Sequence, residues 1–335
     1  MIKTAGLLVT GVVSLLLSAP IQAQNESEPI VAAEGEAVAQ IVNGSIASLS
    51  NYPFMARLLS EQRISSGILT FSCGASVLNE QYILTAAHCV DNPSNNQYLA
   101  VGVNALKDQD FFSNERVAAK EIYIHPSYDG SSASFLPNDI AIIKLKSALQ
   151  TVPSSAYVQL ADSTDETSYR AGSAAMTVIG YGDTQSGIDA SKFLLQTTVN
   201  HVDTATCQTV WSGVTDKQIC TSGAVGSSGL SNSSCQGDSG GPLLWHDGTN
   251  YKQAGIVSFG PLTCGDSSLV AQAAFTEVND YEAWIASVLA GTVAPSQVVA
   301  DFNTESNNNG GSGSSMSWWG ILFLSGLAWL RRRSG

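Results

Sequence analysis

The chain has 335 residues, 44% of them hydrophobic, which is enough for two small cores. Its formal charge is −13, and a surface of that sign repels phosphate backbones, which argues against a nucleic-acid partner. Six cysteines with no CxxC, and four histidines with no metal-ligand spacing, leave no recognised metal motif.

The first feature along the chain is a leader. Lys3 precedes an apolar run from Ala5 to Leu17, and small residues follow as far as Ala23. A short basic start, a brief apolar run and a small-residue cut site describe a secretory signal, with cleavage after Ala23. The run is short for an uncleaved bilayer anchor. In an exported chain six cysteines read as three disulfides, and spacing alone leaves 15 pairings open.

Further on, "YILTAAHCV" (82–90) places His88 directly after an apolar, β-branched stretch. Asp108, Asp110 and Glu115 lie close enough to suggest a calcium loop, although a solvated acidic turn is the simpler reading. "NDIAIIKLK" (138–146) places Asp139 at the mouth of another strand-like run. "NSSCQGDSGGPLL" (232–244) offers Ser239 in a glycine-rich turn. Taken singly, these are a structural histidine, a turn aspartate and one loop serine. Together they supply the three roles of nucleophilic catalysis: a hydroxyl, an imidazole to take its proton, and a carboxylate to fix the imidazole tautomer. Short β-branched runs divided by Gly, Ser, Asn and Pro fill the rest, and only Asp280 to Leu289 has sustained helical character.

The order His, Asp, Ser, carried by "TAAHC", "NDIAIIKL" and "GDSGGP" at separations of 51 and 100 residues, resembles the trypsin/chymotrypsin-like serine endopeptidases (peptidase S1). The likeness runs from Ile41 to about Leu289 and includes "GYG" (180–182), "GIVSFG" (255–260) and the closing "YEAWIASVL". It implies an all-β fold of two packed six-stranded antiparallel barrels with a C-terminal helix, over residues 41–290. It also implies hydrolysis of peptide bonds in protein or peptide substrates. Carried over residue by residue, Ser239 is the nucleophile, His88 the general base and then acid, and Asp139 the group that holds the imidazole. The backbone N–H groups of Gly237 and Ser239 form the oxyanion hole. Ser258 stands behind Asp139, and Ser258, Phe259 and Gly260 pair with the substrate backbone as an added strand. The resemblance also selects the pairs Cys73–Cys89, Cys207–Cys220 and Cys235–Cys264. An esterase elbow of GxSxG type fits poorly, because its triad runs in another order. A peptidase-like binding or adhesion protein, the other alternative, would be expected to lack a triad member, and here all three are present.

"AVAQIVNGSIAS" (37–48) contains the start expected of a mature enzyme of this family, with Asn43 where Gly is commoner. Cleavage before Ile41 would free an ammonium that pairs with Asp238 and organises the oxyanion hole and pocket. A buried carboxylate without its partner costs about 3–5 kcal/mol, so this region is expected to be unformed in the uncut chain. Gln40 is neither Arg nor Lys, so residues 24–40 read as a propeptide removed by an activating peptidase of non-tryptic specificity. At the pocket floor the resemblance places Ser233, which has no charge to compensate a desolvated guanidinium. With Gly260 leaving the wall open, large apolar side chains (Phe, Tyr, Leu, Met) are the expected occupants. The wall "CGDSSLVAQAAFTEV" (264–278) is longer than usual. Ala273 there would make the pocket shallower, and Asp266 could restore trypsin-like cleavage after Arg or Lys by reaching in. Nothing in the sequence requires a cofactor, a metal or an obligate oligomer, so a monomer is expected.

Residues 291–315 are rich in Asn, Ser and Gly and read as a flexible linker. Met316 to Leu330 follows as an apolar run, led by Trp318 and Trp319 and closed by Arg331 to Arg333. As a helix it would be roughly 22 Å long at 1.5 Å per residue, a marginal span of the ~30 Å bilayer core. The arginines would be cytoplasmic and the peptidase outside. Gly310 and Gly311, the short apolar helix and the basic end (to residue 335) resemble the GlyGly-CTERM sorting tail of Gram-negative bacteria. That resemblance implies type II secretion and removal by a rhomboid-family intramembrane peptidase. The product would be secreted or cell-surface, with a transient anchor in the precursor; a permanent anchor is the alternative.

Overall fold

The computed structural model describes residues 41–299 apart from 65–66, 95–98, 108–109, 132–134 and 188–192. The leader, the propeptide, and the tail from residue 300 onward, with Gly310, Gly311 and the apolar run, lie outside the described residues. Among the described residues no helix is long and apolar enough to cross a membrane.

Two closed six-stranded antiparallel barrels form the fold. The first comprises β1 (Met55–Ile64), β2 (Gly67–Val77), β3 (Tyr82–Thr85), β4 (Ala100–Val103), β5 (Arg116–Ile124) and β6 (Ala141–Leu145). They pair in the ring β1-β2-β3-β6-β5-β4, closed by β4 on β1. The second comprises β7 (Ala175–Gly180), β8 (Leu195–Val202), β9 (Gln218–Ser222), β10 (Pro242–His246), β11 (Tyr251–Phe259) and β12 (Ala273–Glu277). Its ring, β7-β8-β9-β12-β11-β10, repeats the same connectivity. The Cys73–Cys89, Cys207–Cys220 and Cys235–Cys264 disulfides all form.

Sequence pattern explains which strands have one buried face. β8, LQTTVNHV, puts every second residue in the interior, as a strand with one face on a core must. β6 departs from that alternation. Ala141, Ile143 and Leu145 enter the first core, while Ile142 joins a separate cluster with Ile256, Tyr281, Ile285 and Val288. That second cluster lies between the barrels. The helix Glu282–Leu289 follows the second barrel in sequence yet shares buried neighbours with Leu84, Ile140 and Ile142 of the first.

The barrels also meet backbone to backbone. A Cβ on Gly74 of β2 would lie 2.7 Å from the Gly241 Cα, so neither position accepts a side chain without a shift. At this contact Gly74 N donates to the Ser239 carbonyl at 2.7 Å. The serine turn is therefore fixed to the first barrel as well as to the second.

Two expectations change. Besides the one-turn helices Asp110–Ser113 and Thr204–Cys207, a longer helix, Ser163–Tyr169, precedes β7, started by a capping box in which Asp162 and Asp165 each accept from the other's backbone N–H. Arg170 at its end forms a buried ion pair with Glu277, which Tyr169 also reaches. The stretch expected to be linker from residue 291 also makes ordered contacts up to residue 299. Gln297–Val298 pairs with Ile122 and Glu121 of β5, and Val299 is buried. Of the acidic trio, Asp108 lies outside the described residues. Asp110 accepts from Leu106 N and Lys107 N, and Glu115 from Gln150 N and Thr151 N. Those two carboxylates close turns, in line with the simpler reading.

Candidate active site

His88 and Asp139 leave the same end of one strand pair. Thr85, the last residue of β3, pairs with Ala141, the first of β6. His88 lies three residues beyond Thr85 in a single 3-10 turn, Ala87–Cys89, and Asp139 lies two residues before Ala141. Their side chains meet at 2.7 Å, His88 Nδ1 to Asp139 Oδ2. Asp139 is fully buried and accepts two further bonds, from His88 N at 2.9 Å and from the Ser258 hydroxyl at 2.6 Å. The Thr276 hydroxyl donates to the Asp139 carbonyl at 2.8 Å. A carboxylate held from three directions fixes the ring it faces. Ser258 is where the resemblance placed it; Thr276 was missed, since nothing marks one threonine among many in a strand.

Burial pushes the His88 imidazole down, but the charge and hydrogen bond of Asp139, with Asp91 adding, outweigh it and raise the group above its usual range. The Cys73 and Cys89 sulfurs lie near this ring. They are oxidised to a disulfide and offer no thiolate to a metal.

Ser239 sits on the facing turn. Cys89 Sγ lies 3.9 Å from His88 Nε2 and 3.6 Å from the Ser239 carbonyl, so the histidine turn and the serine turn are in contact. The turn is closed by Gly241 N donating to Asp238 O at 2.8 Å and Gly240 N to Val257 O at 2.8 Å. Gly237 has φ +93, and a Cβ there would lie 2.9 Å from Gly182 Cα. Among the described residues neither Gly237 N nor Ser239 N has an intramolecular acceptor, so both are available to an anionic oxygen.

Asp238 is fully buried and accepts from Gly182 N and Cys235 N, both at 2.8 Å. Burial nevertheless pushes its carboxyl up to about 7, against those two donors. The residues that follow the expected cut are packed against the second barrel. Ile41 is already fully buried in a core cluster with Val178 and Leu243, and Val42 bridges to Ser233. Apolar packing and backbone pairing hold the segment here.

A cavity of about 100 Å³ opens beside Ser239, bounded by Ser234, Gln236, Val257, Ser258, Phe259, Gly260, Pro261 and the Cys235–Cys264 disulfide. None of these carries a charge. Ser233 does not line it: the residue is fully buried, and its hydroxyl donates to the Ser234 and Gln272 carbonyls at 2.9 and 3.2 Å. Asp266 does not line it either, because its carboxylate accepts from Ser268 N and Ser268 Oγ at the surface. Gln272 was missed in the sequence. Its buried side chain binds Gly223 N, Asp266 O and Leu269 O, which ties the long wall segment down.

The Trypsin family model matches residues 41–285. Melanization protease 1 of Drosophila melanogaster is 30% identical over 275 residues, 73% of this chain and 64% of the relative's length. Chymotrypsin-like elastase family member 1 of Canis lupus familiaris is 30% identical over 258 residues, 76% of this chain and 94% of the relative. Among solved structures, the secreted serine protease VesC from Vibrio cholerae aligns with TM-score 0.57 and 29% identity, covering 73% of this chain and 48% of VesC.

Proposed function

The chain belongs to the trypsin family of serine peptidases, and on that premise we propose that it is an exported endopeptidase, made as a zymogen, that cleaves after apolar residues through Ser239, His88 and Asp139. The observation that carries the reading is the cage of hydrogen bonds holding Asp139 against His88, in contact with a turn whose Gly237 and Ser239 amides are both without acceptors.

Ser239 Oγ attacks the scissile carbonyl as its proton passes to His88 Nε2. The oxyanion accepts from Gly237 N and Ser239 N, and His88 returns the proton to the leaving amine. Water, activated by the same imidazole, then hydrolyses the acyl-enzyme. Ser258 to Gly260 hold the substrate backbone as an added strand.

The uncharged cavity wall supports an apolar residue before the cut. Asp266 would have to give up its Ser268 bonds to favour Arg or Lys. In a fluorogenic peptide panel varying only that residue, Phe, Tyr, Leu and Met should be cleaved fastest. Cleavage confined to Arg and Lys would refute the apolar assignment and leave the trypsin-like alternative.

Activation follows from Asp238. A fully buried carboxyl near neutrality is ionised fully only when a cation joins it, and the ammonium freed by cutting after Gln40 is that cation. Export is supported by the leader and by the likeness to a protein described as secreted. The tail reading, a sorting signal cut near Gly310–Gly311, rests on sequence alone. Intact-mass measurement of the exported protein should find Trp318 to Arg333 missing; a mass that includes them would establish a permanent anchor instead.

A further inference from the structure

Asn43 is held in the left-handed region, φ +58, which Asn tolerates better than most side chains. Gly44 N donates to Ile41 O at 2.6 Å, closing a turn around it. The Asn43 side chain is engaged at both ends by one short hairpin, residues 225–231. Its Nδ2 donates to the Leu230 carbonyl at 2.8 Å, and its Oδ1 accepts from the Ser228 hydroxyl at 2.9 Å. The hairpin fits this amide closely, since a Cβ on Gly226 would lie 2.5 Å from it. Val225 and Ser231 bridge across the hairpin.

The hairpin is in turn tied to the pocket wall. Ser231 N donates to Gly265 O at 2.7 Å, next to Cys264, and the Ser267 hydroxyl donates to Gly229 O at 2.8 Å. Val42 itself bridges to Ser233. The amide of Asn43 therefore links the start of the mature chain to the segment that carries the pocket.

We infer that Asn43 is a latch, a positioning residue whose side chain holds the cut N-terminal segment in place on the 225–231 hairpin. It acts in addition to any pairing of the Ile41 ammonium with Asp238. The inference rests on the reading that the enzyme is activated by cleavage before Ile41.

Linkage gives the latch a measurable signature. Only the protonated amine pairs with Asp238, and a free α-amino group loses its proton at about 7.7–8.0. Tight insertion moves that loss to higher pH, by one unit for each tenfold in the insertion constant. Removing both side-chain bonds should weaken insertion by about tenfold, so the alkaline midpoint should fall by about one pH unit.

The test is active-site titration with an organophosphorus reagent against pH, on enzyme verified to begin at Ile41. Asn43→Gly accepts the left-handed backbone and removes only the amide; its midpoint should fall by about one unit, with kcat near neutrality within about twofold of wild type. Ser228→Ala, on an exposed hairpin tip, should lower the midpoint by about half a unit. The double variant should fall no further than Asn43→Gly alone. An alkaline limb unmoved in both single variants, or shifts that simply add, would overturn the latch while leaving activation by Ile41 intact. Should Asn43→Gly fail to fold, Ser228→Ala carries the test. Full activity in enzyme that begins elsewhere would overturn the activation reading and the latch with it.

Discussion

Replacing Ser239 with Ala should lower kcat for a good peptide substrate by about 10^6-fold, with KM changed little. In the proposed mechanism the hydroxyl forms the acyl-enzyme, and the neighbouring Ser258 is engaged with Asp139. The residual rate should be that of the oxyanion donors and substrate binding alone, roughly 10^3–10^4 above water. The fold should survive, because Ser239 contributes to it through its carbonyl, which accepts from Gly74 N whatever the side chain. Single-turnover kinetics and mass spectrometry after organophosphorus treatment check this. Wild-type enzyme should gain one adduct, on Ser239, and the variant none. A variant that keeps a tenth of the activity would exclude Ser239 as nucleophile, and unlabelled, inactive wild type would favour a binding protein.

Replacing Asp139 with Asn should lower kcat by about 10^4-fold while barely changing shape. The carboxylate accepts from His88 Nδ1, His88 N and Ser258 Oγ. An amide can offer only one oxygen, and its NH2 must then face one of those groups. Facing the ring, it donates to Nδ1 and forces the proton onto Nε2, where it blocks transfer from Ser239. The pH profile provides a second check. The neutral imidazole is the active base, and Asp139 raises the His88 pKa. Wild-type kcat/KM should therefore rise with pH through a value above the 6.5 of a free imidazole. In Asp139→Asn the attraction is gone while the burial remains, so that limb should move to lower pH as the plateau drops. A limb that stays in place would mean that Asp139 does not set the His88 charge. A large loss of thermal stability would assign the rate change to unfolding.

The residues of the candidate site were legible in the sequence because their roles demand particular side chains in order. His88 within "TAAHC", Asp139 within "NDIAIIKL" and Ser239 within "GDSGGP" occur in the order that the resemblance requires. Short β-branched runs broken by Gly, Asn and Pro made an all-β fold legible, and the two barrels came from the family resemblance. The Ser163–Tyr169 helix could have been read as well. Asp162 with Asp165 three residues later is a capping pattern, although its usual partner is Glu or Gln.

What the sequence determined by itself is the set of candidates: a hydroxyl, an imidazole and a carboxylate of the right kinds in the right order, with Asp266 left open as a charge near the pocket. Tertiary structure alone decided what each of those groups faces. Whether Asp266 enters the pocket depends on a competition with Ser268 that spacing does not show. Ser233 is closed off because the Gln272 carbonyl, 39 residues away, comes within reach of its hydroxyl. Residues 297–299, in a stretch poor in apolar pattern, still dock because β4 pairs with β5 only as far as Ala118, which leaves the β5 edge at Glu121 and Ile122 to them. In each case the deciding partner is distant along the chain. Local pattern encodes a residue's own preferences, and only the closed barrels bring together the groups that compete to satisfy them.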